Sequence, residues 1–373
     1  MIRNWQYTDE YEQDRAAILQ IVDRVFSSGR LILGTEVLRF EQNFAAYCGA
    51  RFGIGVNSGT DALFLGLKAL GIGGGDEVIT VANTAVPTVA AIRAAGAIPV
   101  FVDVEPDTFL MDTSNVAAAL TSKTKCILPV HLFGQAADMV QLQQIAERAG
   151  VSLLEDCAQA AGASLQEKRV GSFGRAAAFS FYPTKVLGGY GDGGMIVTNS
   201  ADLNLRLRRL RFYGMDEPNY AEVEGYNSRL DELHAAILDH KLRAIDDRVN
   251  KRRAIAERYS EGLRGVGDVR IPVTRPDRTH QFYVYTIRTR QRDALYAHLS
   301  ARGIEVRIHY PTPVHLMPGY SFLGYRPGSL PITEKLAQEI LALPLYPMMP
   351  VEHADAVVSE IRRYFYAEAG SAE

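Results

Sequence analysis

The sequence predicts an α/β protein with a second, smaller α+β domain, and three observations carry that expectation. Over the first two thirds of the chain, short β-rich runs alternate with helical patterns, the signature of a layered α/β domain. Most of those runs are continuously apolar, as strands buried on both faces are. From about residue 230 the texture changes to a long amphipathic stretch followed by a mixture of short strands and helices.

The predicted strands are "FGIGV" (52–56), "EVITV" (77–81), "IPVFVDV" (98–104), "KCILPV" (125–130), "VSLLED" (151–156), "AAAFSF" (176–181) and "GGMIVTN" (193–199). Between them lie helices. Ala62, Leu63, Gly66, Leu67 and Leu70 share one helical face, and Met139, Leu142, Ile145, Ala146 and Ala149 share another. The stretch 230–263 reads as one long helix with Leu230, Leu233, Ile237, Ile245 and Val249 on a stripe. A strand at 281–287, a helix around 291–302, a strand at 304–310, a Pro- and Gly-rich loop (311–331) and a helix at 352–366 complete the pattern. We place a large domain at 1–249 and a smaller one at 250–373.

Composition narrows the function. A chain of 373 residues is long enough for two sizeable cores, and 47% apolar with 22% charged residues is ordinary for a globular protein. A net charge of −3 gives no electrostatic reason for a nucleic-acid or membrane partner. Cys48, Cys126 and Cys157 are far apart and without CxxC pairing, so neither a disulfide framework nor a zinc site is expected. No apolar run is long enough to span a bilayer, and the first residues show no basic head followed by an apolar run, so the reducing cytoplasm is the expected compartment.

The chemistry concentrates in three segments. In "FSFYPTKVLGGYGDGGMIVTN" (179–199) a single amine, Lys185, follows an apolar run and precedes a glycine cluster. Most lysines are solvated surface residues. An amine that attacks a carbonyl must be partly desolvated to become free base, and the glycines leave room for a planar ligand and for the lysine to swing. In "LLEDCAQAAGA" (153–163) Asp156 ends a buried strand, where ligands of open α/β sheets bind. A helix cap or turn is its ordinary use. Its functional use is to keep a pyridine ring nitrogen protonated, as pyridoxal phosphate chemistry requires. In "GVNSGTDAL" (55–63) Ser58 or Thr60 caps a helix, and the free N–H groups of Gly59 and Thr60 form an anion site; Ser180 could add a hydroxyl.

These segments, with "GYNSRLDELHAAIL" (225–238) and "HYPTPVHL" (309–316), resemble the DegT/DnrJ/EryC1/StrS family of pyridoxal-phosphate aminotransferases acting on nucleotide-linked keto sugars. The resemblance covers essentially the whole chain. It implies the aspartate-aminotransferase (type I) fold, with a large mostly parallel seven-stranded sheet and a smaller C-terminal domain. By position, Lys185 resembles the lysine that holds the cofactor as a Schiff base and then moves protons. Asp156 resembles the partner of the ring nitrogen, Gln159 the residue near the ring hydroxyl, and Gly59, Thr60 and Ser180 the phosphate cradle. Asn227 resembles an asparagine that the family supplies to that phosphate from the neighbouring subunit, which implies a homodimer with shared active sites. Arg229 accompanies it, with a structural salt bridge as the alternative.

One position departs from the family. Where many relatives carry an aromatic residue that stacks on the pyridine ring, "VANTAVPTVAAI" (81–92) has Ala85. The same segment, with "SSGRLILGTEV" (27–37) and "RIHYPTPVHL" (307–316), is similar to the subgroup that aminates position 3 of deoxythymidine-diphosphate 3-keto-6-deoxyhexoses. Glutamate is the expected amino donor, and a 4-keto nucleotide sugar is the alternative acceptor. Tyr182, His309, Tyr310 and His315 are candidates for facing the sugar, and Arg211 or Tyr213 could join them. The histidines keep no ligand spacing with carboxylates or cysteines, so no metal is expected. Sugar dehydratases of the family place histidine where this chain has Lys185, a non-catalytic regulatory relative would be expected to lose Lys185 or Asp156, and no strand is followed by the GxGxxG of a nicotinamide enzyme.

Overall fold

The computed structural model describes residues 1–217 and 219–369. Strands β1 (Phe52–Val56), β2 (Glu77–Val81), β3 (Ile98–Val102), β4 (Thr124–Ile127) and β5 (Ser152–Asp156) alternate with helices. A small hairpin, β6 (Ser164–Leu165) and β7 (Lys168–Arg169), precedes β8 (Ala176–Ser180) and β9 (Gly194–Thr198). Seven of these strands form one sheet in the order β1-β9-β8-β5-β4-β2-β3. All are parallel except β9, which runs antiparallel to both neighbours. The predicted strand positions hold to within a few residues because each strand is sandwiched between helices and must be apolar on both faces.

A second hairpin, β10 (Met215–Glu217) and β11 (Tyr220–Ala221), leads to the C-terminal part, where β12 (Tyr285–Arg288) pairs antiparallel with β13 (Ile340–Leu343). Around that pair lies a separate core of Tyr259, Leu263, Tyr285, Leu299, Leu341 and Ile361. The helix Ile245–Leu263 joins the two cores: Ile245 and Val249 pack into the first, Ile255 and Tyr259 into the second. Ile2 and Trp5, at the opposite end of the chain, also pack on the second core.

Three expectations change. The single helix over 230–263 is two helices, Glu232–Leu242 and Ile245–Leu263, broken at Arg243–Ala244. The first is buried on nearly every side against the helices Thr8–Ser27 and Thr35–Cys48, so the chain must turn before it can serve the second core; Asp246 and Asp247 start the new helix at its positive end. The strand expected at 281–287 shortens to β12, because the N–H groups of Gln281 and Tyr283 donate to Gly134 and Phe133 carbonyls at 2.8 and 2.9 Å. The strand expected at 304–310 is a run of isolated pairings, Ile304 with Ile2 and Arg307 with Ala342.

Candidate active site

A cavity of about 650 Å³ opens where the C-terminal ends of β1, β2, β5 and β8 meet the segment 305–310 beside the second core. The sheet side carries the three sequence segments singled out above. Asp156, the last residue of β5, is 3% exposed. Its Oδ1 accepts from the Ala158 N–H at 3.1 Å and its Oδ2 from the Thr88 hydroxyl at 2.8 Å, and Thr88 lies 2.8 Å from the Thr84 hydroxyl. Burial raises its pKa, partly countered by those two donors and by the charge of Lys185. Among the described residues no arginine or lysine forms an ion pair with it, and neutral donors hold this carboxylate in place.

The turn after β1 opens the helix Gly59–Ala69. Ser58 is its cap, accepting from the Asp61 N–H at 3.0 Å, which leaves the N–H groups of Gly59 and Thr60 without intrahelical acceptors. A Cβ at Gly59 would lie 2.6 Å from Cβ of Ser180, so only glycine lets β8 and this turn approach so closely. The pieces are therefore in register: two free N–H groups, a helix N-terminus and the Ser180 hydroxyl on one wall.

Lys185 projects into the same cavity with Nζ 4.5 Å from the centroid of the Tyr283 ring. Its own N–H donates to the Tyr182 carbonyl at 2.9 Å, and the neighbouring Thr184 hydroxyl lies 3.0 Å from the Tyr283 hydroxyl. The glycines that follow have a packing role that the sequence did not show. None of Gly188, Gly189, Gly191, Gly193 and Gly194 has positive φ. A Cβ on Gly188 would overlap the Pro183 carbonyl and one on Gly189 the Nε2 of His234, so these glycines serve close packing of the lysine loop.

Gln159 is buried, with its Oε1 accepting from the Phe133 N–H at 2.8 Å and its Nε2 donating to the Tyr310 hydroxyl at 3.1 Å. Tyr182, His309 and Tyr310 line the cavity. His309 is pushed down to about 4, by burial first and then by the charges of Lys185 and Arg307, so the ring is neutral at neutral pH. Burial raises the Tyr310 hydroxyl well above the usual tyrosine range.

The other candidates lie elsewhere. His315 is fully buried and its Nε2 sits 3.1 Å from Glu334 Oε1, where Glu334 also caps Gly328 and Leu330; it ties the 311–331 loop together and does not reach the cavity. Arg211 is buried in an ion pair with Glu41 and donates to the Gly55 carbonyl at 2.9 Å, bracing β1 and not facing substrate. Tyr213 is half-exposed beside Phe212, outside the cavity. Asn227 is exposed and outside the cavity, but its neighbour Ser228 donates to Asp61 Oδ2 at 2.7 Å and so locks this segment onto the turn after β1. Arg229 lies over the Phe212 ring at 5.5 Å and makes no ion pair among the described residues.

His131, Glu155 and Cys157 cluster within 4.8 Å beneath the site, all buried. Glu155 accepts N–H bonds from Gly171, Phe173 and Gly174 at 2.8–2.9 Å, and His131 Nδ1 accepts from the Ala137 N–H at 3.0 Å. With Nδ1 so occupied, Nε2 carries the proton it shares with Glu155 at 3.2 Å, and no imidazole lone pair remains for an ion. Sequence reasoning missed Thr88, Tyr283, Asn4, Trp5, Glu305 and Arg307. Only Thr84 and Thr88 had a local signal, an i,i+4 hydroxyl pair at the start of the helix Val86–Ala94.

Residues 12–362 match the model of the DegT/DnrJ/EryC1/StrS aminotransferase family. The chain belongs to this family. A dTDP-3-amino-3,4,6-trideoxy-alpha-D-glucose transaminase of Micromonospora megalomicea subsp. nigra is 50% identical over 363 residues, covering 96% of this chain and 97% of that one. A pleiotropic regulatory protein of Geobacillus stearothermophilus is 46% identical, covering 96% and 97%. Among solved structures, S. venezuelae DesV in complex with a ketimine intermediate superposes with a TM-score of 0.96 at 43% identity, covering 97% and 98% of the two chains. The aminotransferase fold and family are thus established, and pyridoxal 5′-phosphate is the cofactor. The residues present fit it: the buried Asp156 carboxylate, without an ion-pair partner among the described residues, can take a ring N–H, and the turn after β1 offers N–H donors at Gly59, where there is no room for a Cβ.

Proposed function

We propose that this aminotransferase installs the amino group at C3 of a dTDP-linked 3-keto-6-deoxyhexose, taking it from L-glutamate and releasing 2-oxoglutarate. The observation that carries the reading is one cavity shared by the Lys185 amine and the Asp156 carboxylate, 29 positions apart in sequence, the one in the loop after β8 and the other at the end of its neighbour β5. The family, and relatives named for 3-amination, support the choice of acceptor.

Bound in this cavity, the cofactor supplies a carbonyl for the Schiff base and an electron-withdrawing ring. The chain's residues do the rest. Asp156, oriented by Thr88 and Ala158, would hold the proton on the ring nitrogen. The N–H groups of Gly59 and Thr60 and the Ser180 hydroxyl would hold the phosphate. Gln159, fixed between the Phe133 N–H and Tyr310, would lie on the ring's side of the cavity. Lys185 Nζ, free in the cavity, would move the proton on and off the donor's α-carbon, and in the reverse sense at C3 of the sugar. Tyr182, neutral His309 and Tyr310 line the side from which the sugar enters.

We further infer a homodimer in which Asn227 reaches the partner's phosphate, with Arg229 beside it. In support, Asn227 is exposed on a segment locked to the turn after β1, and Phe26, Leu31, Ile32 and Leu38 leave apolar surface on one side of the large domain. Mixing inactive Lys185→Ala with weakened Asn227→Ala protein should restore activity through hybrid dimers. Among the described residues no helix is long and apolar enough to cross a membrane. A purely regulatory role, suggested by the name of one relative, would not require Lys185 and Asp156 to converge. The decisive experiment incubates the protein with glutamate and, separately, 3-keto and 4-keto dTDP-sugars, and locates the new C–N bond by NMR. Amination at C4, or none, overturns the proposal.

A further inference from the structure

One side chain lining the cavity lies against the reacting amine and has no part in the reaction described above. Nζ of Lys185 sits over the face of the Tyr283 ring, 4.5 Å from its centroid. An aromatic face is the negative end of a quadrupole and attracts an ammonium ion, whereas a neutral amine gains little from it.

The ring is held from three directions. The Tyr283 N–H donates to the Phe133 carbonyl at 2.9 Å, its carbonyl accepts from the buried Arg252 guanidinium at 3.4 Å, and its hydroxyl lies 3.0 Å from that of Thr184. Thr184 directly precedes Lys185, so the same tyrosine meets the amine with its face and the lysine's own loop with its hydroxyl. Packing alone would be met by any apolar side chain of this size, and it explains neither the hydroxyl contact nor the placement of the face. The charged and titratable groups around the amine are Asp156 at the end of β5 and Asp192 ahead of β9, with Glu305, Arg307 and His309 opposite. Glu10, Lys241 and Arg252 line a small cleft behind it. None of these groups is altered by a substitution at Tyr283, so a change in the amine's ionisation there reports on the ring.

We propose that Tyr283 is a catalytic residue whose ring face receives the positive charge that forms on Lys185 Nζ as it takes a proton. The inference rests on the aminotransferase reading. In that transfer the donor's α C–H bond breaks, an Nζ–H bond forms, and the electron pair stays on the substrate side, drawn toward the protonated ring nitrogen beside Asp156. The amine that enters the step is neutral, and the group that leaves it is an ammonium ion. A contact that favours only the second form is stronger in the transition state than before it, which is the condition for raising the rate. Ring contacts of this kind change such a step by about two- to thirtyfold.

The test measures the amine itself in the full-length protein saturated with pyridoxamine 5′-phosphate, the form in which Lys185 is free. Trace labelling with acetic anhydride across a range of pH, quantified by mass spectrometry on the Lys185 peptide, gives the pH at which the amine is half protonated. Tyr283→Leu keeps apolar bulk and removes the ring face; it should lower that pH by about 0.4 to 1.5, whereas Tyr283→Phe should leave it in place. In the pyridoxal form with saturating glutamate, Tyr283→Leu should slow the loss of yellow colour by about two- to thirtyfold and enlarge the isotope effect of α-deuterated glutamate, with half-saturation nearly unchanged. Tyr283→Phe should keep the wild-type rate to within about twofold. Melting curves and cofactor spectra certify the fold of each variant, and Tyr283→Met repeats the removal of the ring should the leucine variant misfold. An unchanged or higher half-protonation pH in Tyr283→Leu, or an equal fall in Tyr283→Phe, overturns the inference. Wild-type protein whose cofactor borohydride does not fix to Lys185 overturns the aminotransferase reading itself.

Discussion

The two walls of the cavity are built on different principles. On the sheet side, Asp156, Ser58–Thr60 and Ser180 sit at strand ends, Asp156 buried and the others half-buried, and Ser58, Asp156 and Ser180 are oriented by hydrogen bonds to nearby chain. On the small-domain side, Glu305, Arg307 and His309 ride on irregular chain that borrows its pairing from Ile2, Asn4 and β13. The first wall has the rigidity that an invariant cofactor needs. The second carries exposed Arg307 with half-buried Glu305 and His309 on irregular chain whose frame is fixed from outside, a placement on which side chains can be exchanged without disturbing the sheet.

Several substitutions would sharpen or break that contrast. Lys185→Ala should reduce turnover by about 10⁴-fold or more, since the same amine serves as nucleophile and proton carrier; steady-state rates that remain normal would end the assignment. Asp156→Asn should lower kcat by roughly 10²-fold or more through loss of the ring-nitrogen partner. The cofactor-free protein should melt no lower than wild type, because burial already disfavours this charge. Calorimetry of the apo form decides it, and a large fall in melting temperature would mean that the carboxylate is structural.

Thr88→Val removes one donor from that buried carboxylate and should cost about 1–3 kcal/mol, read as weaker cofactor binding in an equilibrium titration. Acid should act on the small-domain side. His309 is held down to about 4 and His280 to about 3, each mainly by burial, whereas an unfolded chain titrates its histidines near 6.5. The unfolded state then binds more protons, so stability is complete above about pH 6.5 and falls as pH drops toward 4. Melting curves between pH 7.5 and 4.5 should show the loss, and His280→Asn should flatten it. The smallest effect belongs to His315. Its replacement by alanine should lower the melting temperature by a few degrees, through the lost Glu334 contact, yet move KM for the sugar less than twofold; a large KM change would return it to the active site.

The sequence by itself determined the seven sheet strands, the strand-end carboxylate at Asp156, the amine at Lys185 and the capped turn at Ser58–Thr60. These are local facts: continuous apolar runs declare burial on both faces, and the chemistry sits where each run stops. Only the tertiary structure decided that "RIHYPTPVHL" sends His309 and Tyr310 to the cavity but His315 to Glu334, that Arg211 braces β1, and that the glycines after Lys185 are for packing. Nor could local pattern show Thr88 reaching Asp156 across 68 positions, or Asn4 reaching Glu305 across 301. The reason is physical. A regular strand carries its own side-chain direction in its period of two, whereas an irregular segment takes its direction from whatever distant chain its N–H and C=O groups find.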